Sequence, residues 1–308
     1  MSDRSLHAAA PATLQGEDGT TTVKVALQPT SFAATYFVAK EQGYFEDAGI
    51  TVEEEVLPER WRPRCRSLLR ATRSSRSRLI VPIVVANSQG LPVKMVAPSS
   101  LYGTTEEDAA VGIIVPGGSS AKSAADPAGE TVAVPGLKAA PEQLLLNAVE
   151  ADGGDPASVK LVQMDYPTGF SALDKGDIDG MIVTEPFITQ AASQGYQVIS
   201  YPELETSPGG LFAAWFASTE FLNDDAETAE KFIGAIEKAN EYATAHPEEV
   251  NAIVAEQQQM PKEAEQALPP TTFGTELDQA SLESTIADIE KFGWTRNTPT
   301  VADLLWAP

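Results

Sequence analysis

The chain predicts an α/β fold built on mainly parallel sheets, and three features carry that expectation. Short apolar runs alternate with amphipathic stretches from residue 23 to residue 245. Some runs, Gly180 to Val183 above all, are continuously apolar, as strands covered on both faces must be. Turns rich in Gly and Pro separate many of these runs.

In chain order, residues 1–21 are rich in Ala, Gly, Thr and Ser without periodicity, which predicts a disordered N-terminal tail. Val23 to Leu27 alternates apolar with small or polar side chains and reads as a strand. Gln28-Pro29-Thr30-Ser31 breaks it. Thr30 or Ser31 caps a helix running through Phe32, Tyr36 and Phe37 to about Gln42, and Gly43 ends it as a left-handed cap. Ile50 to Leu57 is the second strand. Leu79 to Ala86 is apolar, Gly90-Leu91-Pro92 is a turn, and strands follow at Val93 to Ala97 and Ala109 to Val115.

Thr131 to Val134 is a strand that leads through Pro135-Gly136-Leu137-Lys138 into a helix from about Pro141 to Asp152. Val159 to Met164 is a strand, Thr168 to Leu173 a short helix, and Gly180 to Val183 a buried strand. Glu185-Pro186 opens the next helix. Tyr196 to Ser200 and Leu211 to Ala217 are strands, and Ala226 to Ala245 is a long amphipathic helix. The remainder is helical, with breaks at Pro247, Pro261, Pro269 and Pro270.

Composition narrows the function. The 44 acidic and 21 basic residues give a net charge of −23, which disfavours nucleic acid and anionic lipid as partners. The single Cys excludes an intrachain disulfide and a Cys-based zinc site, and the two His limit His-based catalysis. No apolar stretch is long enough to span a bilayer, and no targeting segment follows Met1-Ser2-Asp3-Arg4. Neither a nucleophile elbow nor metal-ligand spacing is present, and Gly117-Gly118-Ser119-Ser120-Ala121-Lys122 lacks the P-loop order.

The charge is uneven. Eight of the ten Arg, and Cys65, lie in residues 59–78, which carry a net +7 against −30 for the rest. Three readings of this segment stand: a solvated Arg-rich loop or helix, a nucleic-acid patch, or a reading-frame accident. In GC-rich codons, Arg70 to Arg78 can be written CGG GCG ACG CGC AGT TCG CGT TCT CG. Two bases on, the same string reads Gly-Asp-Ala-Gln-Phe-Ala-Phe-Ser. That parallels Gly176-Asp177-Ile178-Asp179-Gly180-Met181-Ile182-Val183 further along the chain. Compensating frame shifts over about residues 59–78 are therefore a hypothesis that the coding DNA decides. Translated as written, the segment is expected to cost the first lobe a strand and to loop outward, because buried Arg is prohibitive.

Phe37-Val38-Ala39-Lys40-Glu41-Gln42-Gly43-Tyr44-Phe45-Glu46-Asp47-Ala48-Gly49-Ile50 resembles a signature of the nitrate/sulfonate/taurine and thiamine-precursor substrate-binding proteins of ABC importers. Five stretches follow in family order: Ser88 to Lys94, Val132 to Gly136, Leu173 to Gly180, Glu185-Pro186 and Lys238 to Tyr242. The resemblance covers about residues 22–306 apart from the Arg-rich segment. It implies a periplasmic-binding-protein-like type II fold: two lobes, each a mostly parallel sheet flanked by helices, with the ligand between them. One lobe would take residues 22–116 plus 207–308 and the other 117–206.

The resemblance further implies a monomeric, extracytoplasmic, often lipid-anchored protein with an ABC permease as partner and no cofactor, metal or catalytic residue. Its ligand would be a small organic anion of the sulfonate, carboxylate or thiamine-precursor class. The alternative is an enzyme on the same fold, pyrimidine-synthase-like or chorismate-dehydratase-like. Ligand contacts are expected where helices start, at Gln28, Thr30 and Ser31 and at Gly136, Lys138 and Ala139, since backbone N–H groups there attract anions. Lys138 either meets an acidic head group or is a surface Lys; Thr30 and Ser31 donate to ligand, cap, or both. Glu185 pairs with a ligand amine or with Lys138, or closes the lobes. Tyr166 and Trp215 stack on a ligand ring or pack in the core, and Thr168 and Thr184 are hydrogen-bond donors near strand ends.

Overall fold

The structure, a computed structural model, describes residues 13–15, 21–27, 31–56, 74–257, 260, 262–266 and 268–307. Two sheets organise them. The first holds β1 (Thr13–Gln15), β2 (Thr21–Leu27), β3 (Ile50–Val56), β4 (Ser74–Leu79) and β5 (Val93–Pro98). The second holds β6 (Val111–Val115), β7 (Thr131–Val134), β8 (Lys160–Gln163), β9 (Gly180–Thr184) and β10 (Gln197–Ser200), and β11 (Ala213–Ser218) returns to the first.

In the first sheet β2 runs parallel to β3 and β4, and β11 lies antiparallel between β4 and β5. In the second, β7 runs parallel to β8 and β9, while β6 lies antiparallel between β9 and β10. Leaving aside the short edge strand β1, each sheet is thus parallel with one reversed strand, and these reversed strands are those reached by the chain as it crosses over. The α/β expectation with mostly parallel sheets holds.

Helices cover the sheets, most of them through apolar side chains that repeat at helical spacing. The main ones are α1 (Ala34–Glu41), α2 (Ile80–Ser88), α3 (Ala140–Ala151), α4 (Tyr166–Lys175), α5 (Phe187–Ser193), α6 (Pro202–Thr206), α7 (Ala226–Ala245), α8 (Pro247–Gln257) and α9 (Gln279–Lys291). In α7 the buried face is Ala229, Phe232, Ile236, Ala239 and Ala243. Phe232 stacks on Phe45 at 5.4 Å and meets Trp215 edge-on at 5.6 Å. Burial of one such ring contributes roughly 1.5–3 kcal/mol. Asn240 on the same helix donates to the carbonyls of Pro98 and Gly274, fixing α7 to the end of β5.

Three expectations change. Thr13 to Gln15, in the stretch read as a disordered tail, pairs antiparallel with Thr21 to Val23. The reason is backbone supply: β4 pairs with β2 only at Lys24 to Ala26, so the first three residues of β2 need another partner on that side. The lobe boundary drawn after residue 116 falls one strand late, since β6 belongs to the second sheet. Third, residues 74–79 do not loop outward. They form β4, between β2 and β11, with Arg76 opposite Ala26 and Phe216 and Arg78 opposite Ala214. Ladder bonds use backbone groups alone, so two flanking strands can recruit even Ser-Ser-Arg-Ser-Arg-Leu. The rest of the Arg-rich segment, Cys65 included, lies outside the described residues.

Candidate ligand-binding site

In open α/β sheets, ligands bind beyond the carboxyl ends of the parallel strands. In the first sheet those ends lead to Ser31 after β2 and Ile80 after β4; in the second they lead to the turns after β7, β8 and β9. Two crossovers join the sheets, residues 99–110 and 201–212. They run beside each other as an antiparallel pair: Tyr102 N donates to Gly210 O at 2.8 Å, and Phe212 N to Ser100 O at 3.0 Å.

The turn after β7 has the clearest built geometry. Lys138 has φ 55°, the one positive-φ residue other than Gly among the described residues. Such a conformation costs roughly 1–2 kcal/mol. It is held from below by Glu142, only 5% exposed, whose Oε2 accepts the Lys138 N–H at 2.6 Å. Burial pushes the Glu142 carboxyl up, against the pull of the Lys138 amide and ammonium. The Lys138 side chain stays exposed beside Leu137, itself 50% exposed. Gly136 and Ala139 complete the turn, and α3 starts at Ala140 with Pro141 in its first turn. Backbone N–H groups at such a start attract an anion.

The ends of β8 and β9 are tied together. The Tyr166 hydroxyl and Thr184 Oγ1 are 2.9 Å apart, and the Tyr166 ring packs at 4.3 Å on Phe187. Burial raises the Tyr166 phenol. Thr168 is exposed on α4, and its amide donates to the capping carboxylate of Asp165. Glu185 takes the Thr189 hydroxyl at 3.1 Å and the Thr189 amide at 3.3 Å, so its carboxylate is occupied at the start of α5. Burial pushes it up.

On the first-sheet side, Ser31 opens a one-turn helix and Phe32 follows it. The Ser99 hydroxyl donates to the Phe32 carbonyl, and the Phe32 ring meets Phe212 edge-on at 6.2 Å, with Tyr102 behind at 4.7 Å from Phe212. Gln28 and Thr30 lie outside the described residues. Trp215 is a correction: it is 0% exposed, enclosed by Tyr36 and Phe232 in the first-sheet core, and offers no ring face to a ligand.

The sequence did not single out Phe32 as a wall, the Glu142 support, or Glu203. Glu203 is 0% exposed and accepts the amides of Ala110 at 2.6 Å and Gly103 at 3.0 Å. Only the Pro202-Glu203 pair at a helix start could have flagged it, a common surface pattern. Elsewhere, a surface cavity of 890 Å³ opens at the far end of α2, lined by Asn87, Leu91, Trp294 and Arg296. The far end of α2 is one helix length, about 13 Å, from the end of β4.

The chain resembles known proteins across nearly its whole length. It is similar to the periplasmic aliphatic sulphonate binding protein SsuA from Escherichia coli, at 16% identity over 93% of this chain and 92% of that one, with TM-score 0.72. It is similar to the alkanesulfonate-binding protein SsuA from Xanthomonas axonopodis pv. citri bound to MOPS, at 16% identity over 97% and 99%, with TM-score 0.70. The desulfurization enzyme DSZB shares the fold at 15% identity over 92% and 96%, with TM-score 0.66. No curated protein matches in sequence. The fold is that of the periplasmic binding proteins. The NMT1/THI5 like profile matches residues 30–250, and the chain belongs to the NMT1/THI5-like family.

Proposed function

We propose that the protein is the extracytoplasmic solute-binding component of an ABC importer, holding a small organic anion between its two lobes and handing it to a membrane permease. The observation that carries this reading is the turn after β7. Lys138, held at positive φ by buried Glu142, carries an exposed side chain at a helix start that follows a parallel strand end. The sulfonate-binding relatives support the anion class. Lys138 is the cation for a sulfonate or carboxylate, with Gly136 and Ala139 shaping the backbone around the acid group. Ser31 closes on the ligand from the other lobe, and Tyr166, Thr184 and Thr168 line its second side. Glu185 acts through α5, whose Thr189 amide and hydroxyl it accepts.

No helix of the described residues is long and apolar enough to cross a membrane. The DSZB likeness keeps one second reading specific: a desulfurization enzyme on this fold. Thermal shift with alkanesulfonates, carboxylates and pyrimidines separates the two. A ligand at 100 times its Kd stabilises by about 2.7 kcal/mol. The binding reading expects a hit that is recovered unchanged; release of sulfite or another product would establish the enzyme instead.

A further inference from the structure

Glu203 sits where the two crossovers meet. Its Oε1 accepts Ala110 N at 2.6 Å, just before β6, and Gly103 N at 3.0 Å, at the end of the paired crossover segment. Its Oε2 is buried and has no hydrogen-bond partner, and no ion pair reaches it among the described residues. The loop it holds is closed on itself: Asp108 accepts the amides of Thr104 and Thr105 and the hydroxyls of both. Gly103 is obligatory there, because a Cβ would stand 2.5 Å from the Asp108 carbonyl oxygen. The loop is thus braced internally, and the Glu203 carboxylate joins its two ends beside the backbone bonds Gly209 N to Gly103 O and Glu185 N to Ala110 O.

We propose that Glu203 is the positioning residue of the interlobe hinge: by bridging Gly103 and Ala110 it sets how far the lobes stand open, and gain or loss of one proton at its carboxyl group changes that setting. The ionised group grips both amides more tightly than the neutral acid, since charge-assisted bonds are the stronger kind. The neutral acid relieves a buried charge and gives Oε2 a proton to donate.

Among the described residues the surroundings hold no compensating cation. Asp108 from the loop adds a like charge, and Tyr102 stands near as a buried phenol. Of the other acids on the loop, Glu106 and Glu107 are exposed. On α6 itself, Glu205 takes the Ser200 hydroxyl. On α3, which packs against α6, Glu142 holds the Lys138 amide and Glu150 pairs with Lys291. β6 carries no titratable side chain. Beyond Tyr102, Asp288 is taken up by Gln143 and Asn147. Burial pushes Glu203 up to about 7, against the lowering effect of the Ala110, Gly103 and Val111 amides.

The test reads the distance between lobes in the full chain without ligand. Spin labels go on Thr51→Cys and Lys175→Cys, both exposed and one on each sheet's lobe, in a Cys65→Ser background. The wild-type distance is expected to shift in one titration step between pH 5.5 and 8.5, together with loss of a protonated-carboxyl infrared band. Glu203→Gln, which keeps the acceptor and cannot ionise, is expected to hold the low-pH distance throughout and to lack the band. A flat wild-type profile overturns the proposal, as does a Glu203→Gln profile that titrates like wild type. Should Glu203→Gln fail to fold, the wild-type distance and infrared band must still titrate together, and their separation overturns it. Because no ligand is present, failure here leaves the binding reading intact, and failure of binding leaves this one intact.

Discussion

β4 and β9 hold equivalent places in the two sheets. Each lies between a parallel neighbour, β2 or β7, and a reversed strand, β11 or β6. Their sequences could hardly differ more. β9 reads Gly-Met-Ile-Val-Thr and is buried over its first four residues, whereas β4 reads Ser-Ser-Arg-Ser-Arg-Leu. The difference teaches that the place of a central strand is set by the backbone of its neighbours, while its own side chains set how much it stabilises the sheet. It also bears on the alternative reading frame, which would put Gln-Phe-Ala-Phe-Ser across the β4 positions and make the two strands alike.

The largest effect should come from making β9 resemble β4. Ile182 is 0% exposed, and Ile182→Arg leaves an unpaired charge in the second-sheet core. A loss of more than about 4 kcal/mol in urea unfolding is expected. A cost near zero would mean that central strands here tolerate charge and that β4 is unexceptional. The reverse graft is next: Ser74→Gln, Ser75→Phe, Arg76→Ala, Ser77→Phe and Arg78→Ser together. Each Phe that becomes buried contributes roughly 1.5–3 kcal/mol, so the urea midpoint should rise clearly. An unchanged or lowered midpoint would count against the frame-shift hypothesis.

Glu203 is expected to make stability depend on pH by roughly 3 kcal/mol. Its folded value of about 7 lies above the ordinary 4.5, so the folded state holds the proton more tightly. That contribution is fully present below about pH 4.5 and is lost as pH rises to about 7. The difference between wild-type and Glu203→Gln unfolding profiles isolates it; parallel profiles would rule it out.

Smaller again is the tie between α3 and α9. Asp288 Oδ2 accepts Gln143 Nε2 at 2.7 Å and Asn147 Nδ2 at 2.5 Å. Asp288→Ala should cost about 1–3 kcal/mol, because a buried donor on Gln143 loses its acceptor. The smallest effect is at Lys138. Lys138→Gly relieves the positive φ and should stabilise by up to about 1 kcal/mol. The same change should weaken binding of a sulfonate about tenfold, a difference of roughly 1.4 kcal/mol. Tighter binding would remove the Lys138 ammonium from the site.

Most of the fold was legible because its elements obey local rules. Thr131 to Val134 and Ala226 to Ala245 form as read, since their periodicity and flanking turns agree. α2 was not assigned, because Ile80 to Ala86 is apolar on every side and shows no helical face. β4 was misjudged because its place depends on β2 and β11, the second more than 100 residues away, which no local pattern contains. The site divides the same way. Gly136, Lys138 and Ala139 sit at a helix start that the sequence marks with Pro and Gly. Trp215 could stack on a ligand or pack in the core by sequence, and only the tertiary packing of Tyr36 and Phe232 shows it enclosed. Glu203 was invisible for a related reason: its partners, Gly103 and Ala110, are remote in sequence.

The most direct measurement is a crystal structure of the protein grown with ethanesulfonate or MOPS, compared with crystals grown without either. The sulfonate is expected between the lobes, its acid group within hydrogen-bond distance of Lys138 and the start of α3, with Ser31 brought toward it from the first lobe. A sulfonate seated instead in the Arg296 cavity, or a crevice left empty at a concentration that stabilises the protein, would contradict the binding account.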